Sequence, residues 1–170
     1  MTALTVYEVG PRDGLQNERE TVATPAKLEL IERLAVAGLR RIEVTSFVSP
    51  RWIPQLADAD ALVPLLPALP GVAYSALVPN AEGYERFRGA GGLSVAAFFV
   101  SASETHNRRN VNRGIAEHLE RFRPVADRAR ADGVRLRAYV STVCGCPYEG
   151  RVAVDAVVRL VESLVALGAD

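Results

Sequence analysis

The sequence predicts a parallel α/β fold, and three observations carry that prediction. Short apolar runs alternate with segments of helical periodicity, a small residue and a glycine recur where a helix gives way to a strand, and Ala96-Ala97-Phe98-Phe99-Val100 is apolar on both sides. Unbroken β-α alternation builds a parallel sheet covered by helices. A strand buried on both faces reads as a continuous apolar run instead of an alternating one.

The joints are Ala37-Gly38-Leu39, Pro70-Gly71-Val72, Gly91-Gly92-Leu93, Asp132-Gly133-Val134 and Leu167-Gly168-Ala169. A glycine there suits the left-handed position that ends a helix. Their spacing is too irregular for a solenoid but fits a repeated supersecondary plan. Strands are expected at Leu4–Val9, Arg41–Thr45, Ala73–Val78, Leu93–Val100 and Leu136–Ser141. The first helix opens at Thr24-Pro25, with Thr24 as N-cap and proline at the first helical position, and runs through Leu28, Ile31, Leu34 and Ala35. Pro64, Pro67 and Pro70 then break up the chain, so the helix near Asp58–Leu66 should be short or irregular. Ile115, Leu119, Phe122, Val125, Ala126 and Ala129 mark one later helix face; Val154, Val157, Val158, Val161, Leu164 and Val165 mark another.

Composition narrows the function. The chain has 170 residues, 49% hydrophobic and 24% charged, the profile of a globular domain. Lys and Arg balance Asp and Glu at 20 each, so no basic field argues for nucleic acid or an anionic membrane. No run approaches a membrane span, and Met1-Thr2-Ala3-Leu4-Thr5 lacks the features of a signal peptide. Cys144 and Cys146 are too close to staple a fold, so a reduced, cytoplasmic setting is expected. No linker divides the chain, which reads as one domain over 1–170. A whole (β/α)₈ barrel, at about 250 residues, does not fit in it.

In parallel α/β folds chemistry sits where strands end and loops toward helices begin. Those positions are polar here: Gly10–Glu18, Thr45–Pro50, Pro79-Asn80, Ser101–Asn107 and Ser141–Tyr148. Arg12 and Asp13 form the sharpest pair. Such a carboxylate can hold a divalent cation and such an arginine can stabilise an oxyanion; the alternative is an ion pair that shapes a turn around Gly14. Glu43 interrupts the apolar run Ile42–Val44, where an unpaired carboxylate is costly. It either faces a metal or arginine in the mouth of the fold or makes a structural ion pair. His106 lies in a segment that reads as a mobile loop, solvated or catalytic. Arg108, Arg109 and Arg113 either meet phosphates of a large anionic ligand or form a solvated helix entry, and His118 falls on a polar helix side. Two cysteines and two histidines cannot complete a structural zinc site. The absence of GxGxxG, P-loop and nucleophile-elbow patterns weighs against dinucleotide, ATP and serine-hydrolase chemistry.

Val9-Gly10-Pro11-Arg12-Asp13-Gly14-Leu15-Gln16-Asn17-Glu18 and Ile42-Glu43-Val44-Thr45-Ser46-Phe47-Val48-Ser49-Pro50 closely resemble the hydroxymethylglutaryl-CoA lyase family. Ala102-Ser103-Glu104 and Gly145-Cys146-Pro147-Tyr148-Glu149-Gly150 continue the match in order. The Arg-Asp-Gly turn is shared with the wider superfamily of metal-dependent lyases and Claisen-type synthases, while the longer motifs point to the lyase branch. The resemblance implies a partial TIM (β/α)₈ barrel of about five parallel βα units, its last three strands absent, forming a C-terminally incomplete pyruvate carboxyltransferase-like domain. It implies cleavage of 3-hydroxy-3-methylglutaryl-CoA to acetyl-CoA and acetoacetate, as in leucine degradation and ketone-body chemistry, with Mg²⁺ or Mn²⁺ as cofactor. Arg12 and Glu43 are implied as catalytic, and Asp13 as the metal ligand. Arg12, Gln16, Ser46, Phe47, Asn80 and Ser103 are implied as substrate-binding. The family's His-x-His metal pair, a further Asn ligand and its catalytic-cysteine loop belong to the second half of the barrel, so this chain alone is expected to be inactive. Cys146 follows the fifth expected strand and is read as structural or pocket lining. The alternatives are a related acyl-CoA lyase or Claisen-type synthase, or a non-catalytic half-barrel. The expected partner is an acyl-CoA, with a homo-oligomer allowed and neither nucleic acid nor membrane.

Overall fold

A computed structural model describes residues 4–170; the Met1-Thr2-Ala3 start of the signal-peptide reading lies outside the described residues. The elements are α1 (Thr24–Val36), β1 (Arg41–Ser46), α2 (Ala59–Leu62), β2 (Ala73–Leu77), α3 (Ala81–Ala90), β3 (Val95–Ser101), α4 (Glu104–Val111), α5 (Ile115–Ala131), β4 (Arg135–Ser141) and α6 (Val154–Leu167). Strand order follows chain order. The chain forms two compact units, one ending at Ala96 and the other running from Ala97 to Asp170.

In the first unit β1 and β2 pair in parallel from Arg41↔Ala73 to Ser46↔Leu77. Their register shifts between Glu43↔Ser75 and Thr45↔Ala76, leaving Val44 as an extra residue. Such a bulge bends the strand and re-aims neighbouring side chains. β3 begins here, where the Ser94 N–H donates to the Tyr74 carbonyl at 3.1 Å. The core joins Ile31 and Ala35 of α1, Ile42 and Val44 of β1, Leu62 of α2 and Tyr74 of β2, with Leu28 and Leu34 packed against it.

Two expectations shift. The strand foreseen at Leu4–Val9 is a single parallel bridge, Glu8↔Ile42. It is made by Glu8 N–H to Arg41 O and Glu43 N–H to Glu8 O, both 2.8 Å. Leu4 and Val6 are exposed, so no packing extends the ladder through them. The N-cap of α1 is Ala23, not Thr24. The Thr24 hydroxyl donates instead to Asp58 Oδ2 at 2.7 Å. The proline-rich stretch behaves as expected: α2 has four residues between short 3₁₀ turns at Pro54–Leu56 and Val63–Leu65.

In the second unit β3 continues beside β4. Phe98 of β3 stacks on Phe122 of α5, centroids 3.9 Å apart. α5 buries Phe122, Val125, Ala126 and Ala129, the expected face. The α6 expectation is rotated: the helix buries Leu160, Leu164 and Leu167, while Val154, Val158, Val161 and Val165 are exposed. An apolar surface on more than one helix side makes periodicity a poor guide to the inward face. α6 ends at Gly168, φ 102°. Beyond it Ala169 forms a parallel bridge with Leu136 of β4, so this joint leads into strand backbone as expected. The segment read as a mobile loop is the helix α4. Among the described residues no helix is long and apolar enough to cross a membrane.

Candidate active site

In the first unit the polar residues gather around Arg12. A π-helical turn over Gly10–Gly14 carries it, with Pro11 inside its first turn. Arg12 N–H and Asp13 N–H both donate to the Val9 carbonyl, at 3.1 and 2.7 Å. The Gly10 N–H donates to Glu8 Oε1 at 2.5 Å, which closes the entry to the turn. Arg12 is thereby held with its side chain inward, 9% exposed.

Arg12 Nε donates to Glu43 Oε1 at 2.5 Å, and its Nη1 donates to Asp13 Oδ1 at 2.6 Å. Glu43 is 2% exposed. Glu43 takes an arginine partner, as a buried carboxylate is tolerable only when paired and hydrogen-bonded. The bulge at Val44 lies directly beside it. Asp13 is half-exposed. Its Oδ1 also accepts from Gln16 Nε2 at 2.8 Å, and its carbonyl accepts from Asn17 Nδ2 at 2.7 Å. No cluster of three or more candidate metal-binding side chains exists among the described residues. Asp13 thus stands half-exposed beside Arg12, whereas the Glu43 carboxylate is buried against Arg12.

The other expected pocket residues of this unit make structural contacts. Ser46 is buried, and its Oγ accepts from the Val48 N–H at 3.2 Å. Phe47 is a core residue, edge-on to Phe87 at 6.0 Å with the Arg86 guanidinium 5.4 Å from its ring centre. Asn80 caps α3, its Oδ1 accepting from the Gly83 N–H at 2.9 Å. Sequence reasoning missed the buried pair beneath α1. There Lys27, 1% exposed, donates to Asp58 Oδ1 and to the Gln55 carbonyl, each at 2.6 Å. A lysine on an apolar helix face gives no such signal until the fold supplies its partner.

In the second unit the strand ends are tied to one another. Ser103 is the N-cap of α4: its Oγ accepts from the His106 N–H at 3.1 Å and its hydroxyl donates to Cys146 Sγ at 3.0 Å. Glu149 Oε1 accepts from the Thr105 N–H at 2.6 Å, a second cap on the same helix end. Cys146 and Gly150 close an antiparallel bridge by N–H···O bonds of 2.7 and 2.9 Å. Burial pushes the Cys146 thiol up, but the Ser103 hydroxyl and the backbone N–H groups of Tyr148 and Glu149 outweigh it, and the net direction is down. These bonds turn the expected loop into helix α4. Its signals were legible: a serine N-cap, Glu104 in the first turn and Arg108 and Arg109 in the last.

His106 is half-buried, its Nδ1 2.6 Å from Ser101 Oγ, which lies 2.9 Å from Ser141 Oγ. Asn107 is fully buried; its Oδ1 accepts from the Ser101 N–H at 3.1 Å and its Nδ2 donates to the Arg113 carbonyl at 3.0 Å. His118, expected on a polar side, sits 3.4 Å from Asn107 Oδ1 and edge-on to Phe99. Burial, then the charge of Arg113, holds its imidazole below the usual range.

A family profile described as HMGL-like matches residues 3–170. The chain is 49% identical over 168 residues to a hydroxymethylglutaryl-CoA lyase of Pseudomonas mevalonii, covering 99% of this chain and 56% of that relative. It is similar to the crystal structure of hydroxymethylglutaryl-CoA lyase from Pseudomonas aeruginosa, at a TM-score of 0.94 and 44% identity, over 97% of this chain and 55% of that one. It is also similar to an HMG-CoA lyase from Acinetobacter baumannii in complex with coenzyme A and 3-methylmalate. That match has a TM-score of 0.92 and 36% identity, over 99% of this chain and 56% of the other. The chain spans about half the length of the relatives it matches.

Proposed function

The chain belongs to the HMGL-like family, and from that premise we propose that it carries the Arg12–Asp13–Glu43 part of a site that cleaves 3-hydroxy-3-methylglutaryl-CoA to acetyl-CoA and acetoacetate. The observation that carries this reading is the buried Arg12–Glu43 pair with half-exposed Asp13 beside it. Breaking the carbon–carbon bond leaves an electron pair on the acetyl-CoA fragment, and its energy falls when the thioester oxygen takes up negative charge beside a fixed cation. Arg12, anchored through Nε by Glu43, supplies that cation already oriented, which is where electrostatic stabilisation gains most. Glu43 is a positioning residue in this scheme. The tertiary hydroxyl must also lose its proton as its carbon becomes a ketone, and the enolate carbon of the acetyl-CoA fragment takes up a proton, so the cleavage balances. A divalent cation, Mg²⁺ or Mn²⁺, would be held in part by Asp13 and would supply Lewis-acid polarisation of the hydroxyl and carboxylate oxygens. A single carboxylate falls short of the ligand set such cations take, so these 170 residues alone should be inactive.

The test is acetoacetate release from 3-hydroxy-3-methylglutaryl-CoA with Mg²⁺. The substrate is offered to the chain alone and to the chain extended by the remaining length of the Pseudomonas mevalonii relative. Product from the extended chain only is expected. None from either overturns the lyase reading, and equal turnover by both overturns the incomplete-site reading.

A further inference from the structure

The three arginines at the end of α4 and the start of α5 are not equivalent. Arg108 Nε lies 3.6 Å from Glu104, and Arg113 Nε lies 3.3 Å from Glu117. Arg109 has no acidic partner among the described residues. Its guanidinium instead lies over the Tyr148 ring, 4.2 Å from the centroid. Tyr148 is half-exposed, and the His106 ring borders it at 6.1 Å. This ring does not hang on a free loop. The Cys146–Gly150 bridge closes the turn that carries it, the Tyr148 N–H donates to Cys146 Sγ at 3.4 Å, and Glu149 fastens the turn to the first residues of α4. The residue that offers the cation and the residue that supports it are thus fixed to the same helix.

A guanidinium supported through its central carbon by an aromatic face keeps N–H groups available, in a fork that matches two oxygens of one phosphate. The contact also lowers the entropy lost when an anion is captured. A doubly charged phosphomonoester gains more from such a fork than a pyrophosphate oxygen does. The pair stands on segments that follow the carboxyl ends of β3 and β4, the side on which parallel α/β folds bind ligands.

We propose that Arg109, supported by Tyr148, is a phosphate-docking point for the nucleotide end of the acyl-CoA, and that it takes the 3′-phosphate. This rests on the acyl-CoA reading above, but concerns the carrier and not the bond that is cleaved.

The experiment titrates the 170-residue chain by calorimetry with coenzyme A, with dephospho-coenzyme A, which lacks only the 3′-phosphate, and with inorganic phosphate. Coenzyme A should bind about tenfold more tightly than its dephospho form, roughly what one charge-assisted bidentate contact provides. Arg109→Gln should abolish that preference without changing affinity for dephospho-coenzyme A or the thermal midpoint. Tyr148→Leu, which removes the support but keeps the arginine, should reduce it in part, and Arg109→Lys should keep some of it. A preference that survives Arg109→Gln overturns the assignment, as does no binding of coenzyme A by the unmodified chain. Inorganic phosphate binding as tightly as coenzyme A shows a general anion site and overturns the coenzyme A assignment. The two proposals fail separately: a chain that binds coenzyme A through Arg109 but never yields acetoacetate when extended loses the lyase reading and keeps this one.

Discussion

Arg12 combines a charge with a single orientation. The turn at Gly10–Gly14 and the Glu43 carboxylate supply the second. In the extended chain Arg12→Gln should lower kcat by about 10²–10³, the scale for losing one oxyanion donor; a change confined to KM would make Arg12 a uniform binding residue instead. Lys27 shows the same physics in a purely structural setting. Asp58→Ala should cost about 3–5 kcal/mol in denaturant unfolding, because it strips the carboxylate from an ammonium that is 1% exposed. A loss below about 1 kcal/mol would mean that water reaches Lys27. His118 makes stability depend on pH. Its imidazole is held below the usual value of 6.5 by burial and by Arg113, and Asn107 and Phe99 are its other neighbours. As pH falls through that unfolded value the unfolded chain takes up the proton first. Stability is therefore full above about pH 6.5, declines below it, and levels once the folded imidazole protonates as well. Urea unfolding should show this slope, and His118→Gln should flatten it.

Among the elements, α3 shows how tightly the loop after β1 is packed. A methyl group on Gly83 would lie 2.8 Å from Pro79 Cδ and 3.0 Å from the Phe47 carbonyl. Neither atom belongs to a flexible side chain. Gly83→Ala should therefore destabilise by about 1–3 kcal/mol despite its better helix propensity, and an unchanged thermal midpoint would show that the Phe47 segment can move. The parallel α/β plan was legible because short apolar runs and glycine joints are local signals. β1 and β2 match their runs to within one residue, and β3 and β4 to within two. Arg12, Asp13 and Glu43 were legible for a similar reason: charge at a strand end or within an apolar run is conspicuous in sequence. Which partner each charge takes was not legible, since Arg12 and Glu43 are 31 residues apart. The Lys27–Asp58 pair and the Cys146–Ser103 contact, over separations of 31 and 43 residues, were hidden for the same reason. Phe47 and Asn80 show what a strand-end motif also contributes, a core ring and a helix cap, neither of which the motif announces.

At the scale of the whole molecule, the chain matches little more than half of each compared lyase while 97–99% of its own length is covered. The family assignment is correspondingly firm. The valines of α6 bear on how the chain behaves in solution. Val154, Val158, Val161 and Val165 are 70, 48, 43 and 62% exposed and follow one another along a single helix side. The formal net charge at pH 7 is zero. Long-range repulsion between copies is therefore absent at the pH where the chain would be handled, while a strip of hydrocarbon is available for contact. Colloidal stability should be poor near neutrality and should respond to one well-placed carboxylate. Val158→Glu should make the second virial coefficient from light scattering more positive, whereas the same substitution at an already polar position of the helix, Ser163→Glu, should do less. Equal shifts would assign the gain to charge alone and relieve the valine strip of blame.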